Sequence, residues 1–177
     1  QEQAVNLSIR RAAGLLADGK AAEINPILTQ VEHSVSVMGK RLLATLDEER
    51  YISDPVYRKD FLHRAEDWFE DIARFTPGAT TSWFRLEKDR FGPDAGIFMT
   101  DDRYGGFVSV KPTELTDYAE DDLEHVGWYY EPLKAGHPLW MPPYENRNVG
   151  LKIITYVIPL YRDKTFLGVV GMDIQHS

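Results

Sequence analysis

Two apolar stretches near the C-terminus constrain the fold of this chain more than any other feature. They run from Leu151 to Tyr161 and from Phe166 to Ile174, and a polar turn, Arg162-Asp163-Lys164-Thr165, separates them. Apolar runs joined by a short polar turn predict a buried antiparallel β-hairpin. An aromatic-rich segment, residues 124–146, comes just before the hairpin, and we expect it to cover one face of the two strands.

Length and composition indicate one folded domain. The 177 residues suffice for a single core, and 43% hydrophobic with 12% aromatic residues is typical of globular proteins. The net charge of -8 and the lack of a basic cluster predict no nucleic-acid partner and no binding flat on an anionic membrane. The chain has no cysteine, which excludes disulfides and thiolate metal sites.

The N-terminal region, residues 1–50, is predicted to be helical. Residues 2–18 place apolar side chains at helical spacing, and Asn25-Pro26 is typical of a cap followed by proline at the first helical position. Apolar residues then recur at spacings of three and four: Ile24, Leu28, Val31, Val35, Met38, Leu42 and Leu46. We favour an amphipathic helix that packs on its own sheet. The alternative is a coiled-coil seam that forms a homodimer through this helix.

A second helix is predicted between Asp54 and Thr76. Asp54-Pro55 again combines a cap residue with a proline at the first helical position, and Thr76-Pro77-Gly78 is typical of a helix end. The apolar residues of this segment recur at helical spacing and predict its inner face: Phe61, Ala65, Trp68, Phe69 and Ile72.

The middle of the chain predicts a sheet followed by a loop and a short helix. Three segments have the composition of strands: residues 82–87, 97–100 and 107–110. Residues 112–126 are acidic and irregular, which favours a loop draped over the sheet. Residues 127–135 are then predicted to form a short helix, and Gly136 is suited to end it.

The C-terminal third of the chain resembles the Cache family of sensor domains, of the dCache_1-like type. The usual pattern of that family is an Arg-x-Trp-Tyr helix start, a Trp-x-x-Pro-Tyr strand and a closing Gly-Val-x-Gly-x-Asp-Ile strand. Matching residues occur here in the same order: Trp128-Tyr129, Trp140 with Pro143-Tyr144, and Gly168-Val169-Val170-Gly171-Met172-Asp173-Ile174.

This resemblance implies an α+β fold of the PAS-like kind. We expect a central antiparallel sheet with a long N-terminal helix and a second helix packed on it, the helices lying on one face. Residues 1–50 would form the signalling or dimerisation helix and residues 51–177 the sensor domain, as a single globular unit. The end of the chain just after the last strand favours a single Cache domain over half of a tandem.

The resemblance also implies a function. Cache domains are extracytoplasmic ligand-sensing parts of membrane-bound bacterial receptors, so we expect flanking transmembrane segments outside this sequence. The output domain, a histidine kinase, diguanylate cyclase or chemotaxis transducer, would also lie outside it. We expect a small molecule as the partner of this domain. We also expect the domain to have no enzymatic activity and no cofactor.

The sequence itself offers one candidate pocket, between the sheet and the cover formed by residues 112–146. Aromatic walls and hydroxyls could come from Trp128, Tyr129, Tyr144 and Tyr156, and an amide from Asn146. Asp173 would add a carboxylate in an otherwise apolar strand, where a charge is costly unless it is paired. The alternative is that Asp173 faces solvent or caps a turn.

The resemblance assigns roles to some of these residues. In amino-acid-binding Cache domains, the acid matching Asp173 holds a ligand ammonium group, and the residues matching Trp128, Tyr129 and Tyr144 line the same site. The arginine that clamps the ligand carboxylate is replaced here by Val126.

A second acid of the family pattern is also replaced, since Asn146 stands where it is expected. We therefore do not expect an ordinary α-amino acid as the ligand. Aromatic rings with one acid and no arginine suit a small amine or a quaternary ammonium, bound by cation–π contacts and ion pairing. Arg85 or Arg103 could replace the missing arginine, and a neutral metabolite stays an alternative.

Other functions have weaker support. The acidic cluster at residues 117–125 lacks the ligand spacing of a calcium loop, and the five histidines show no metal-binding spacing, so no metal is expected. A hydrolase that uses Asp173 and His125 would need a residue to orient the pair, and none is evident. A dimerisation module that binds no ligand is the main rival.

Overall fold

The computed structural model describes the backbone of residues 21–146 and 151–176, and the side chains of residues 26–141 and 153–175. The helix predicted at residues 2–18 lies outside this range. The elements of the described part are, in chain order, α1 (Ala21–Thr45), α2 (Glu48–Ser53), α3 (Pro55–Arg74), β1 (Ala79–Leu86), α4 (Lys88–Phe91), β2 (Gly96–Asp101), β3 (Phe107–Val110), a 3₁₀ turn (Leu115–Asp117), α5 (Leu123–Ala135), β4 (Leu139–Asn146), β5 (Leu151–Arg162) and β6 (Thr165–His176).

The strands form one antiparallel sheet in the order β3-β2-β1-β6-β5-β4. The predicted β5–β6 hairpin is confirmed, with Val157 opposite Gly171. At the centre of the sheet, β1 pairs with β6, and Trp83 lies opposite the same Gly171. This central pairing joins strands that are far apart in the chain, so it fixes which early residues surround the end of β6.

Helix α1 packs on β5 and β6 through the predicted apolar seam. The described seam residues are buried: Leu28, Val31, Val35, Met38, Leu42 and Leu46. The helix approaches the sheet so closely that a Cβ on Gly39 would lie 2.9 Å from a methyl group of Leu160. This part of the seam is therefore used within the chain, as the favoured interpretation predicts, and is not free to form a coiled coil.

The predicted start of this helix at Asn25-Pro26 is wrong. The helix already includes Ala21, and Pro26 lies inside it. A proline inside a helix removes one backbone donor and costs about 3 kcal/mol. Each buried aliphatic side chain of the seam that follows contributes about 1.5–3 kcal/mol, which is enough to offset this local loss.

Helix α3 begins and ends where the sequence predicts. Asp54 caps it, since its Oδ1 accepts hydrogen bonds from the backbone amides of Val56 and Tyr57, both at 3.1 Å. Its buried face carries the predicted residues Phe61, Ala65, Trp68 and Phe69. Helices α1 and α3 thus lie on the same face of the sheet and build the larger of two apolar clusters.

Helix α5 differs from its prediction at its N-terminal end. It begins at Leu123, not at Gly127, because Asp122 caps it by accepting a hydrogen bond from the amide of His125 at 3.3 Å. It also lies on the opposite face of the sheet from α1 and α3, the two helices that pack together on one face as predicted. The central strands are apolar on both faces and require a cover on each side.

The cover on the α5 side forms a second, smaller apolar cluster. Its buried members are Trp83, Leu115, Val126, Tyr129, Tyr130, Val157 and Val169. Gly136 ends α5 in the left-handed conformation, with φ of 71°, as predicted. None of the helices in the described part of the chain is both long and apolar enough to span a bilayer.

Candidate functional site

Asp173 lies near the end of β6 with its side chain on the α5 face of the sheet. Thr81 of β1 and Thr155 of β5 lie directly opposite it on the two neighbouring strands. Thr81 Oγ1 donates to Oδ2 at 2.8 Å, and Thr155 Oγ1 donates to Oδ1 at 2.5 Å. The Trp83 side chain also lies close enough to the carboxyl group to lower its pKa.

The carboxyl group of Asp173 is buried. The residue is 9% exposed, and none of the ion pairs between described side chains includes it. Burial raises its pKa above the ordinary value of 3.8, and the hydrogen bonds from Thr155 and Thr81, together with the nearby Trp83 side chain, partly offset that rise. Asp173 is therefore a buried acid that two threonine hydroxyls orient and that forms no ion pair with a described side chain.

Trp83 forms an aromatic floor beside this carboxyl group. The absence of a side chain at Gly171 makes this possible, since a Cβ there would lie 2.4 Å from Trp83 Cζ2. The indole of Trp128, on α5, meets Trp83 edge to face with 5.4 Å between ring centroids. Trp128 is half-buried, and its Nε1 donates to the backbone carbonyl of His125 at 2.8 Å, which fixes the ring.

Arg85 stands at the other end of this aromatic row. Its guanidinium lies 5.2 Å from the ring centroid of Trp128. Its Nη1 donates to the carbonyl of Pro93 at 3.1 Å and to the carbonyl of Thr113, which belongs to the predicted cover. Burial lowers its pKa to about 10, so the group stays charged at neutral pH.

The structure brings some of the predicted site residues together. Asp173 and Trp128 share one face and are linked through Trp83. Tyr129 is on the same side, but it is buried and its hydroxyl accepts a hydrogen bond from the amide of Lys88 at 3.1 Å. Burial raises the pKa of Tyr129 to about 12, so its hydroxyl stays neutral in the physiological range.

Tyr156 does not belong to this group, and its assignment to the same pocket is corrected. Its neighbour Thr155 points toward Asp173, and successive side chains of a strand alternate between faces. The Tyr156 ring therefore lies on the α1 side, where it packs on Trp140 with 4.9 Å between centroids. The backbones of Tyr144 and Asn146 pair with β5, but their side chains lie outside the described residues.

The residues considered as alternatives in the sequence make contacts of their own, away from Asp173. His125 Nδ1 contacts the carboxylate of Asp122 at 2.9 Å, and its ring stacks on Tyr118, so it forms no pair with Asp173. Arg103 is exposed in the turn before β3. Among the described residues, no group of three potential ligands could hold a metal ion.

Sequence reasoning missed three residues of the site. No sequence motif singles out Thr81 or Thr155, and Trp83 is one of several aromatic residues in the predicted strands. A threonine in an otherwise buried strand is a usable signal, because its hydroxyl must find a partner. The partner could not be named without the β1–β6 and β5–β6 registers.

Two shallow depressions on the described surface lie elsewhere. One is next to Pro55 and His63, and the other is between Glu66 and Phe107. Both are open and partly lined by charged side chains of α3. Neither contains a buried acidic side chain such as that of Asp173.

Comparisons with solved structures identify the fold. The sensory domain of the Campylobacter jejuni chemoreceptor Tlp3 matches over 98% of this chain and 62% of its own, with 15% identity and a TM-score of 0.59. The same receptor domain in complex with L-valine matches with 16% identity and a TM-score of 0.58, at the same coverage. A methyl-accepting chemotaxis protein, termed X, matches over 97% of this chain and 64% of its own, with 18% identity and a TM-score of 0.56.

These matches concern the fold, and the chain spans only about three-fifths of the length of the chemoreceptor domains. A comparison with curated protein sequences finds no match. A family profile, by contrast, matches residues 56–177, which is more than half of the chain. The resemblance to Cache-type sensors is confirmed, and this chain belongs to the family described as methyl-accepting chemotaxis protein-like, first PDC sensor domain.

Proposed function

We propose that this chain is the extracytoplasmic ligand-sensing domain of a membrane-bound bacterial receptor, that it binds a small amine, and that it has no catalytic activity. The observation that carries the proposal is the buried carboxyl group of Asp173, which two threonine hydroxyls orient and which forms no ion pair with any described side chain. A buried charge is costly unless it is paired, and a ligand ammonium group would supply the missing charge.

The surroundings of Asp173 suit an amine better than an α-amino acid. The family arginine that would clamp an α-carboxylate is replaced by Val126, which is fully buried in the apolar cluster under α5. The indole of Trp83 lies next to the carboxyl group and Trp128 contacts Trp83, and the faces of such rings attract cations. The valine, isoleucine and related complexes of Tlp3 belong to that receptor and do not fix the ligand of this chain.

Signalling would follow from the position of Asp173 on the central strand β6. That strand packs against β1 on one side and β5 on the other, and the α1 seam lies on the opposite face of β5 and β6. A ligand that pairs with Asp173 favours whichever packing of these strands on α1 best closes the site. The helix would carry this difference toward the membrane and the output domain.

A homodimer through the N-terminal helix stays a prediction. The seam from Leu28 to Leu46 is already buried against the sheet. A dimer would therefore use residues 1–20 or the outer face of α1, where Gln30, His33 and Val37 are exposed. Sedimentation of the purified chain with and without ligand tests this.

The direct test of the proposed function is a thermal-shift screen of the 177-residue chain against amines, amino acids, organic acids and sugars. A ligand at a hundred times its dissociation constant adds about 2.7 kcal/mol of stability. We expect amine hits that Asp173→Asn abolishes and that the surface control Asp60→Asn retains. Amine binding that survives Asp173→Asn unchanged would contradict the proposed site.

A further inference from the structure

We propose that Arg85 forms an anion subsite, so that the ligand is a zwitterion whose ammonium and anionic groups are separated by an apolar chain. This inference rests on the proposed function, because it assumes that the ammonium group binds at Asp173. It adds a second charged contact at the far end of the ligand.

The first argument is the unpaired charge of Arg85. The residue is 3% exposed, yet none of the ion pairs between described side chains includes it. Nη1 is held by two backbone carbonyls, whereas Nε is buried without any hydrogen-bond partner. The charge of Asp94 acts on Arg85 without forming an ion pair with it. A buried guanidinium without an ion pair is costly, and it offers donors to a planar carboxylate or another oxyanion.

The second argument is the position of Arg85 relative to Asp173. Thr81, Trp83 and Arg85 alternate along β1 and share the α5 face of the sheet. Thr81 lies opposite Asp173, and Arg85 lies opposite Val169, four residues along each strand. At about 3.3 Å per residue, the two backbone positions are roughly 13 Å apart. A ligand with its two charges several carbons apart matches this separation better than an α-amino acid does, since an α-amino acid carries both charges on one carbon.

The third argument is the surface between the two charges. Trp83 lies next to Asp173 at one end, the Trp128 and Trp83 ring centroids are 5.4 Å apart, and the Arg85 guanidinium lies 5.2 Å from the Trp128 ring centroid. The row therefore runs from acid to indole to indole to guanidinium. Methylene groups of an extended ligand would lie on the two indoles. The matching class is an ω-amino acid, or an amine joined by several carbons to a carboxylate or sulfonate.

The experiment is calorimetric titration of the 177-residue chain with two matched series. One series is straight-chain ω-amino acids of three to eight carbons, and the other is n-alkylamines of the same lengths. We expect one ω-amino acid to bind at least tenfold more tightly than the alkylamine of its length. Arg85→Gln should remove this preference and leave the alkylamine affinity within about twofold, whereas Asp173→Asn should weaken both series.

The outcomes separate the two proposals. Binding of amines and ω-amino acids with equal affinity to the wild type would overturn the Arg85 subsite and leave the proposed function standing. No binding of any amine or ω-amino acid would overturn the proposed function, and the subsite with it. If Arg85→Gln weakens both series equally, Arg85 only holds Trp128 and the cover in place, and the subsite is wrong.

A conservative variant serves as a second test in case Arg85→Gln does not fold. Arg85→Lys keeps the charge but loses the fork of donors, so it should retain part of the preference for ω-amino acids. The wild-type comparison of the two series needs no variant, and it decides the question even if both Arg85 variants fail to fold.

Discussion

Thr155 and Asp173 lie directly opposite each other on β5 and β6, and the threonine hydroxyl donates to the carboxyl group over 2.5 Å. Thr81 makes the equivalent contact from β1 on the other side. Two hydroxyls thus orient one acid within a sheet that is otherwise apolar at this point. The proposed ligand cation would pair with this acid, and its burial without an ion pair to any described side chain costs stability in the unliganded domain.

Our first prediction is that Asp173→Asn stabilises the unliganded chain. The neutral amide fills the same space without a buried charge, so we expect a gain of about 0.5–2 kcal/mol in the free energy of unfolding. Urea unfolding at pH 7 measures it. A loss of stability of similar size would show that the carboxylate already has a partner in the unliganded protein.

The gain should depend on pH in a defined direction. Burial raises the folded-state pKa of Asp173 above 3.8, so the folded state holds its proton at higher pH than the unfolded state does. Stability from this group is full below pH 3.8 and declines as pH rises through the raised pKa. The difference between Asp173→Asn and the wild type should therefore grow from acid to neutral pH. A constant difference across unfolding curves from pH 3.5 to 7 would contradict the raised pKa.

The second prediction concerns the glycine under the aromatic floor. Gly171→Ala would place a methyl group 2.4 Å from the Trp83 ring and 2.9 Å from the Tyr156 carbonyl. We expect a loss of about 1–3 kcal/mol and weaker ligand binding, because the indole must move. Gly127→Ala on α5 is the matched control, since its methyl group would meet only ordinary contacts at 3.5 Å. If Gly171→Ala and Gly127→Ala change the free energy of unfolding equally, the close packing of Trp83 on Gly171 does not have the effect predicted here.

The third prediction concerns the link between β4 and α1. Trp140 Nε1 donates to Glu32 Oε2 at 3.1 Å, and burial raises the pKa of that half-buried glutamate. A double-mutant cycle with Trp140→Phe and Glu32→Gln should give a coupling free energy of about 1 kcal/mol. Chemical unfolding of the four proteins measures it. A coupling of zero within error would mean that the hydrogen bond does not hold the helix to this strand.

The fourth prediction concerns Glu48, which pairs with Arg90 and with Arg162 of the β5–β6 turn, both at 2.5 Å. The glutamate side chain is only 13% exposed, so Glu48→Gln should cost about 1–2 kcal/mol. Asp60→Asn removes one exposed pair with Arg64 and should cost at most about 0.5 kcal/mol.

Thermal unfolding of both variants at low and high salt tests this comparison. High salt should only partly reduce the difference in stability between Glu48→Gln and the wild type, because the glutamate is shielded from solvent. If the two variants lose the same stability, the Glu48 pairs are ordinary surface pairs.

The local elements could be predicted from short-range chemistry. A cap residue followed by proline at Asp54-Pro55 and a glycine at Gly136 act on their own neighbours, and both helix ends lie where the sequence places them. The start of α1 was misplaced for the opposite reason. Burial of a long seam outweighed the local preference of Pro26 to begin a helix.

The sequence by itself determined the hairpin, the two long helices, the aromatic segment and the one acid in an apolar strand. Only the tertiary structure decided that α5 covers the opposite face of the sheet from α1 and that Tyr156 points away from Asp173. It also decided that Thr81, Trp83 and Arg85 lie on the same face of the sheet as the Asp173 side chain. Helix caps and turns depend on residues a few positions apart. When a strand is apolar on both sides, its register with strands distant in the chain decides which of its side chains lie on which face of the sheet. No local sequence pattern contains that register.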